Sequence, residues 1–367
     1  MDGCSGRNRC SVSEVSGISR ISVLQVFIDE PGGGRGNVAL LNSALSQDVE
    51  WHELPLSVPE TRGVALCGRK LRKVIGKAAS EANPAIIHCH GTRAALTVAL
   101  SGLAIPRVAT LHGIHVIRRS TTPQRPIATW FVRSVLSRMD AVLCTGRSDA
   151  RLVQSLGLEP DVLVRWIHST FTPPVPRSRI DARRSFDLGL DAKVILWMGR
   201  FEAEKNPLAF LEAIAGMRGR EGLQVLMAGD GSLYGRVRDY LESNHLSSVV
   251  RLPGWCDDPA LAYGASDIFV STSRWEGFPL TGLEAASAGL TLVVTEVPGN
   301  ADLAEVGLDV MLVPPDDTHR LAASLDAALQ GDPPDRSRRN QVLDAFSPKV
   351  QRAEILEVYQ RVLDQVA

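Results

Sequence analysis

The sequence predicts an α/β protein made of two doubly wound, parallel-sheet domains that face a central cleft. Short apolar runs rich in β-branched residues alternate with helical patterns along the chain, and this alternation is typical of parallel sheets covered by helices. The chain has 367 residues, which is too long for one core of ordinary size and suits two domains. A proline-rich segment at 171–179 separates the two halves.

The individual elements follow from these runs. In the first half, strands are predicted at 21–28, 85–90, 107–112, 141–146 and 162–167. In the second half, they are predicted at 194–199, 223–229, 249–252, 268–273, 290–295 and 310–315. An apolar stripe predicts a final helix at 347–363, which could pack on either domain. Residues 1–20 lack the apolar stretch of a signal peptide, and we expect a loose tail there.

The amino-acid composition is typical of a cytosolic protein without a membrane-spanning helix. Six cysteines without a CxxC pair are typical of reduced thiols in a cytosolic protein, and no apolar run reaches the length of a membrane helix. The net charge of −1 hides a contrast: residues 1–180 carry 22 Lys and Arg against 13 Asp and Glu, and the remainder carries 18 against 28. The basic half fits an anionic surface or acceptor, with a merely solvated basic face as the alternative. We expect no nucleic-acid partner.

The segment 274–289 contains two carboxylates around a predicted helix start. Ligands of open parallel sheets bind beyond the carboxyl ends of the strands, and this segment follows such a strand. Pro279 suits the start of a helix near Leu280. The free amide groups at the start of that helix, together with the amide of Phe278, form a site for a phosphate or a developing anion. Glu276 before the helix and Glu284 one turn inside could then reach hydroxyl groups on either side of that anion. The alternative is a surface glutamate and a glutamate that favours the helix dipole.

Other strand ends carry candidate groups. Arg200 and Lys205 follow a strand and fit a diphosphate, although two surface charges would look the same. Glycines at 32–34 allow a close backbone approach to a ligand, but they match neither a dinucleotide fingerprint nor a P-loop and could form only a tight turn. Histidines at 88, 90 and 112 lack further ligand motifs, so we disfavour a metal and favour a histidine, above all His112, that donates to a substrate hydroxyl.

Together these segments resemble the retaining glycosyltransferases of family 4, which have the GT-B architecture of two Rossmann-like domains. The segments GRFEAEKNP, AGDGSL, LPGWCDD, DIFVSTSRWEGFPLTGLEAASAGL and VPPDD occur in the order and spacing of that family. The resemblance implies a first domain at 21–175 that includes a returning helix at 350–367, and a second domain at 176–349. One departure is His168-Ser169, where many relatives have Pro-Asn-Gly, and it leaves contacts near the domain hinge open.

The resemblance also implies a role for each matching residue. Glu284 would bind the ribose hydroxyls of the donor, and Glu276 the hydroxyls of the transferred sugar. Arg200 and Lys205 would stabilise the leaving diphosphate, and His112 would contact the transferred sugar. The remaining expected contacts are backbone approaches to the sugar, diphosphate or base, at Gly32, Gly33, Gly254, Phe278, Pro279 and Leu280.

The function implied is retaining transfer of a hexosyl group from a nucleotide-diphosphate sugar, UDP in preference to GDP, to a glycan or lipid-linked acceptor. The family needs no bound metal and no other cofactor, because cations and a helix end act on the diphosphate. We expect a cytoplasmic protein that builds a cell-surface polysaccharide or glycolipid and docks on an anionic membrane through its basic half. The alternatives are a catalytically silent nucleotide-binding subunit and a GT-B-like nucleotide-sugar epimerase.

Overall fold

A computed structural model of the chain describes residues 14–15, 18–29, 33–57, 64–219 and 221–366. It divides into two compact units. The N-terminal unit comprises residues 1–170 together with 348–367, and the C-terminal unit comprises residues 171–347. Each unit contains one six-stranded sheet in which all neighbouring strands are parallel.

The sheet of the N-terminal unit has the order β4-β3-β5-β6-β7-β8. Its strands are β3 (Ile21–Ile28), β4 (Val49–Leu56), β5 (Ile86–His90), β6 (Arg107–Leu111), β7 (Ala141–Cys144) and β8 (Leu163–Trp166). Two short strands, β1 (Glu14–Val15) and β2 (Ile18–Ser19), precede it and pair with each other in antiparallel fashion. The helices of this unit are Gly33–Ala44, Val64–Ala82, Gly91–Ala99, His115–Arg118, Arg125–Leu136, Arg147–Ser155 and Pro348–Asp364.

The last helix, Pro348–Asp364, packs on the N-terminal sheet although it follows the C-terminal unit in the chain. Its apolar stripe joins the core that covers one face of the sheet, and its members are Ile355, Val358, Tyr359 and Val362. Full burial of an aliphatic side chain of this size contributes about 1.5–3 kcal/mol. At its start, Arg352 donates two hydrogen bonds of 2.6 Å to the carboxylate of Asp48. These contacts make the helix an integral part of the first unit.

The sheet of the C-terminal unit has the order β11-β10-β9-β12-β13-β14. Its strands are β9 (Lys193–Met198), β10 (Leu223–Ala228), β11 (Val250–Gly254), β12 (Ile268–Ser271), β13 (Thr291–Thr295) and β14 (Val310–Val313). Its helices are Arg179–Ser185, Pro207–Gly216, Tyr234–Ser243, Pro259–Ala265, Leu280–Ala288, Pro298–Glu305, Thr318–Gln330 and Arg336–Asp344. Buried clusters cover both faces of this sheet, so its central strands are almost wholly apolar.

Strand order fixes where each unit can hold a ligand. In the C-terminal sheet the chain reverses direction of winding between β9 and β12, and such a switch point opens a crevice at the carboxyl ends of the strands. The segments after these two strands carry Lys205 and Glu276. In the N-terminal sheet the corresponding reversal lies between β3 and β5, and β5 ends at His90.

The predicted fold class, two Rossmann-like domains with doubly wound parallel sheets, is confirmed. Three of the described strands were not predicted. Two of them, Glu14–Val15 and Ile18–Ser19, lie in the segment 1–20 for which we expected a loose tail. The third, Val49–Leu56, lies at the edge of the sheet, where less burial is needed, and Glu50, His52 and Glu53 interrupt its apolar residues. Of the predicted glycine segment 32–34, Gly33 already begins a helix, and Gly32 lies outside the described residues. The helix predicted near Leu280 does begin at that residue, with Pro279 at the N-cap position.

Candidate functional site

A compact polar cluster lies at the switch point of the C-terminal sheet. The ammonium group of Lys205 contacts Oε1 of Glu276, and the Ser273 hydroxyl donates to the same oxygen at 2.7 Å. The Lys205 and Glu276 side chains are 25% and 13% exposed. The pair is therefore largely shielded from bulk water yet open on one side, which strengthens its electrostatic effect on any ligand that reaches it.

Backbone packing holds this cluster in place. The Thr272 hydroxyl donates to the carbonyl of Lys205 at 2.9 Å, which ties the segment after β12 to the segment after β9. The backbone of Gly299, at the start of a helix, lies directly on the segment after β12: a Cβ at Gly299 would lie 2.2 Å from the carbonyl oxygen of Gly277. Only glycine permits this approach. The position of Glu276 is thus fixed by close contacts rather than by its side chain alone.

The helix Leu280–Ala288 starts immediately after this segment. Its N-cap residue, Pro279, provides no side-chain cap, so the first amide groups of the helix have no capping partner from that residue. Phe278 anchors the approach by stacking on Phe346, with ring centroids 5.4 Å apart. A helix start of this kind attracts negative charge, because its amide groups and dipole point outward.

Glu284 lies one turn into that helix. Its Oε2 accepts a hydrogen bond of 2.6 Å from the hydroxyl of Tyr263. Burial raises the pKa of Glu284, and the Tyr263 hydrogen bond offsets part of that shift. The pKa of Tyr263 is raised well above its ordinary value by burial and by the neighbouring carboxylate. Glu284 is therefore a preoriented acceptor in a mostly buried position.

The other expected residues of this unit lie around the same strand ends. Arg200 follows β9 and contacts the carboxylate of Glu204, with its guanidinium half exposed. Gly254 ends β11 with a positive φ of 79°, and its carbonyl accepts from the amide of Gly229 at 2.7 Å. A Cβ at Gly229, whose φ is 141°, would lie 1.9 Å from the carbonyl of Gly199. Glycines thus allow the segments after β9, β10 and β11 to meet.

In the N-terminal unit, the histidines form a buried stack. The rings of His88 and His90 are 4.5 Å apart, and those of His90 and His112 are 5.5 Å apart. Burial lowers the pKa of His88 to about 3 and that of His112 to about 4, and it lowers the pKa of His90 well below its ordinary value. All three rings are therefore neutral near pH 7.

Hydrogen bonds connect the stack to the surrounding elements. His88 Nδ1 lies 2.6 Å from the Tyr359 hydroxyl, and His88 Nε2 lies 2.7 Å from the hydroxyl of Thr110. His112 borders a small cavity in this unit, whose lining combines polar side chains such as Asn37, His90 and Thr110 with the apolar side chains of Leu41, Ile167 and Ile355. Of the two expected glycine contacts, Gly33 is the first residue of the helix Gly33–Ala44, whereas Gly32 lies outside the described residues.

Sequence reasoning missed several members of these two clusters. Tyr263 and Gly299 are separated by about 20 residues from the groups that they contact, and no spacing rule pointed to them. Ser273 lies only three residues before Glu276, but it was not assigned a role. Gln25 and Asn37, which contact the histidines, likewise carried no motif. Within the part of the chain that the structure describes, no group of three or more His, Cys, Asp or Glu could hold a metal ion. None of the described helices is long and apolar enough to cross a bilayer.

Comparison with protein families gives two matches. A family described as "Glycosyltransferase Family 4" matches residues 33–169, and one described as "Glycosyl transferases group 1" matches residues 192–331. Each match thus falls within one of the two units, and together they cover about three quarters of the chain.

Individual relatives point in the same direction. The chain is 24% identical over 62% of its length to a UDP-Gal:alpha-D-GlcNAc-diphosphoundecaprenol alpha-1,3-galactosyltransferase of Escherichia coli. It is 28% identical over 71% of its length to a D-inositol 3-phosphate glycosyltransferase of Thermobispora bispora. These alignments span 62% and 66% of the relatives' own lengths.

A solved structure shares the fold. The Anabaena protein HepE, determined in complex with UDP and glucose, superposes with a TM-score of 0.76 over 93% of this chain and 100% of that one. The two sequences are only 15% identical, so this likeness bears on architecture.

Proposed function

The chain belongs to the group 1 glycosyltransferases of family 4, and on that premise we propose that it transfers a hexosyl group from a nucleotide-diphosphate sugar to a glycan or lipid-linked acceptor. The observation that carries this proposal is the helix Leu280–Ala288 with its two carboxylates. One carboxylate, Glu276, lies before the helix and is paired with Lys205. The other, Glu284, lies one turn inside.

This arrangement fits the three parts of a sugar nucleotide. The diphosphate would lie at the helix start, where amide groups and the dipole favour negative charge. Glu284, held by Tyr263, would accept hydrogen bonds from the ribose hydroxyls. Oε1 of Glu276 is engaged by Lys205 and Ser273, so we assign its other oxygen to hydroxyls of the transferred sugar.

The cations supply the main chemical assistance. As the glycosidic bond breaks, its electron pair goes to the diphosphate oxygen, whose charge rises. Lys205 and Arg200 would stabilise that charge, and preorganised groups of this kind are worth about 10²–10³ in rate each. Because these cations and the helix end act on the diphosphate, we expect no requirement for a bound metal, and chelation with EDTA should leave the rate unchanged.

We further propose that the reaction retains the configuration of the transferred sugar. The acceptor hydroxyl would attack from the face that the diphosphate leaves, and a phosphate oxygen would take its proton. We assign no protein nucleophile. This step is implied by family membership, and proton NMR of the anomeric signal in the product tests it: an inverted signal would contradict it.

We favour UDP over GDP as the nucleotide of the sugar donor. The structural neighbour HepE was solved with UDP and glucose, and the E. coli relative is named for a UDP-galactose donor. That relative is also named for a diphosphoundecaprenol-linked acceptor, which supports a lipid-linked acceptor in the synthesis of a cell-surface polysaccharide or glycolipid.

If the acceptor is linked to a membrane, one exposed helix face of the N-terminal unit is suited to contact that membrane. On the helix Arg125–Leu136, Ile127 and Trp130 are 70% and 67% exposed, and a spacing of three places them on one side. Exposed arginines flank them, at 119, 125 and 133, and residues 113–139 contain no acidic side chain. Arg118 does not contribute, since it is buried against Asp149. We propose that this face docks on an anionic membrane at its cytoplasmic side.

The transferase assignment is tested by turnover. Purified protein is incubated with UDP-glucose, UDP-galactose and UDP-N-acetylglucosamine, or with the corresponding GDP sugars, with and without a lipid-diphosphate-linked glycan. We expect slow hydrolysis of one donor alone and faster transfer when an acceptor is present. Release of free sugar together with epimerisation, and no transfer, would favour the epimerase alternative. Nucleotide binding without any turnover would favour the silent subunit.

The docking face is tested by sedimentation with vesicles of phosphatidylcholine, with or without phosphatidylglycerol, at low salt. Wild-type protein should bind only the anionic vesicles, and Trp130→Ala should weaken that binding. The matched control is Trp255→Ala, which removes an equally exposed tryptophan from the C-terminal unit. Equal binding by both variants would contradict the assignment of this face.

A further inference from the structure

His112 is the third member of a four-residue hydrogen-bonded chain within the N-terminal unit. Gln25 Nε2 lies 3.0 Å from His90 Nε2, and His90 Nδ1 lies 3.2 Å from His112 Nε2. His112 Nδ1 in turn lies 3.3 Å from Nδ2 of Asn37. Both nitrogens of both rings are therefore engaged, and the hydrogen-bonded chain begins at the fully buried amide of Gln25 and ends at Asn37, which lines the small cavity.

The number of ring protons limits the hydrogen-bond directions that this four-residue chain can have. A neutral imidazole carries one N–H, so two neutral rings bring two protons. If the amide nitrogens of Gln25 and Asn37 both donated to the rings, His90 Nε2 and His112 Nδ1 would carry no proton. Both ring protons would then lie on the two nitrogens that face each other, and one hydrogen bond between them holds only one proton. One of the two amides must therefore present its oxygen to its histidine. The chain can run in either of two directions, and each direction gives both rings a definite tautomer.

The surroundings favour one direction. Gln25 is fully buried, and its Oε1 has no hydrogen-bond partner. At present one N–H of this amide and its carbonyl are unpaired among the described residues. Turning the amide would pair the carbonyl but leave two N–H groups unpaired, and orphaned donors are the rarer defect in proteins. Asn37 is only partly buried, so its amide can turn at little cost and present Oδ1 to His112. In that direction Gln25 donates to His90, His90 donates to His112, and His112 donates to Asn37.

We propose that Gln25 and His90 are positioning residues that hold His112 in its Nδ1–H tautomer, so that His112 donates a hydrogen bond to a hydroxyl of the substrate in place of Asn37. The stack with His88, whose nitrogens face Tyr359 and Thr110, keeps the His90 ring in plane for this role. His112 would then recognise an oxygen that accepts and could not act as a base. This inference rests on the proposed function only for the identity of the substrate.

The tautomers can be read directly in the ligand-free protein. Long-range proton–nitrogen correlation spectra of histidine-labelled protein at pH 7.5 distinguish Nδ1–H from Nε2–H rings. The signals of His90 and His112 are assigned by their loss in His90→Gln and His112→Gln. We expect both rings to be Nδ1–H, which is the minor form of free neutral histidine. An Nε2–H signal for His112 in the wild type would overturn the proposal.

Two substitutions test the direction of the chain with opposite expectations. A carboxylate only accepts, so Gln25→Glu should force both rings to Nε2–H, whereas Asn37→Asp should leave them Nδ1–H. A chain that runs the other way predicts the reverse pattern. If Gln25→Glu does not fold, the wild-type spectrum and Asn37→Asp still decide between the two directions.

Activity gives a separate readout. Loss of one hydrogen bond to the substrate should lower the turnover of the sugar nucleotide about tenfold in Gln25→Glu, without a change in affinity for UDP. Unchanged turnover in a variant whose rings have inverted would overturn the assigned role of His112. A wild-type protein with Nδ1–H rings that turns over no sugar nucleotide would instead contradict the proposed function and leave the tautomer assignment intact.

Discussion

The two units place different chemistry at the carboxyl ends of their sheets. In the N-terminal unit the polar side chains are histidines, buried and neutral, with their nitrogens held by Gln25, Thr110 and Tyr359. In the C-terminal unit they are ions in partly open pairs, such as Lys205 with Glu276. A buried ion without a partner is costly, and a neutral hydrogen-bonding group is much less so.

This difference suits two kinds of ligand. A diphosphate carries charge that rises during reaction, so it needs cations that are already in place, and under the proposed function Glu276 would keep Lys205 in place until the ligand arrives. Hydroxyl groups carry no charge and are distinguished by the direction of hydrogen bonds, which a fixed neutral ring supplies. The comparison therefore predicts large effects on rate from charges of the C-terminal unit and smaller, directional effects from the histidines.

The largest expected effect is on Lys205. Lys205→Met removes a cation beside the leaving group and should lower kcat by about 10²–10³. Steady-state assays of donor turnover measure it. The matched control is Lys193→Met, at the opposite end of β9 and exposed to solvent, which should keep the wild-type rate. Similar losses in both variants would show that the cluster has no special role.

The next effect concerns Glu284 and its partner. Glu284→Gln removes a charged acceptor and should weaken UDP binding about tenfold or more, since hydrogen bonds to charged groups contribute about 1.5–3 kcal/mol. Isothermal titration calorimetry measures the Kd. Tyr263→Phe leaves the carboxylate in place and loses only its orienting contact, so it should weaken binding less. A stronger effect of Tyr263→Phe would argue against direct contact between Glu284 and the nucleotide.

A fall in pH should change the free energy of unfolding in opposite directions through His112 in the N-terminal unit and Glu284 in the C-terminal unit. The folded-state pKa of His112 is lowered to about 4, so between that value and about 6.5 the unfolded chain binds more protons. Stability is therefore lost as the pH falls, by about 2 kcal/mol between pH 7 and pH 5 for this residue alone. The pKa of Glu284 is raised by burial, so its protonation favours the folded state as the pH falls.

Hydrogen exchange, corrected for the intrinsic pH dependence, separates the two units. Amides of β5 and β6 should lose protection between pH 7 and pH 5, and those of β9 and β12 should change less. In His112→Gln the loss in β5 and β6 should be smaller. Equal losses in both sheets of the wild type would mean that the histidine stack does not govern the acid response.

The smallest expected effect concerns an exposed ion pair. Arg274 and Asp316 are 42% and 56% exposed and lie 2.9 Å apart. Arg274→Ala should change the free energy of unfolding by less than about 1 kcal/mol, because water and salt screen such pairs. By contrast, Asp149→Ala leaves Arg118 buried without its partner and should cost about 3–5 kcal/mol. Urea denaturation followed by circular dichroism compares the two.

The sequence allowed the fold class to be predicted because the central strands are buried on both faces and form continuous apolar runs. The edge strand Val49–Leu56 was not predicted, because Glu50, His52 and Glu53 interrupt its apolar residues. The start of the helix at Leu280 could be predicted from Pro279, whose ring suits that position. The roles assigned to the site residues remain predictions that the experiments above test.

The partners of those residues could not be predicted for a physical reason. Tyr263 meets Glu284, and Gln25 meets His90, only because separate strands and helices bring them together. A hydrogen bond between distant residues leaves no period or spacing in a single sequence. The same holds for Gly299, whose lack of a side chain has meaning only against the carbonyl of Gly277.

The most direct test of the central claim is a binding panel on the wild-type protein. Thermal unfolding is followed with UDP, GDP, ADP, TDP and NAD. A ligand at 100 times its Kd stabilises the folded protein by about 2.7 kcal/mol, which for domains of this size raises the Tm by several degrees. The account predicts such a shift with one nucleoside diphosphate, UDP in preference to GDP, and none with NAD. No shift with any nucleoside diphosphate would contradict it.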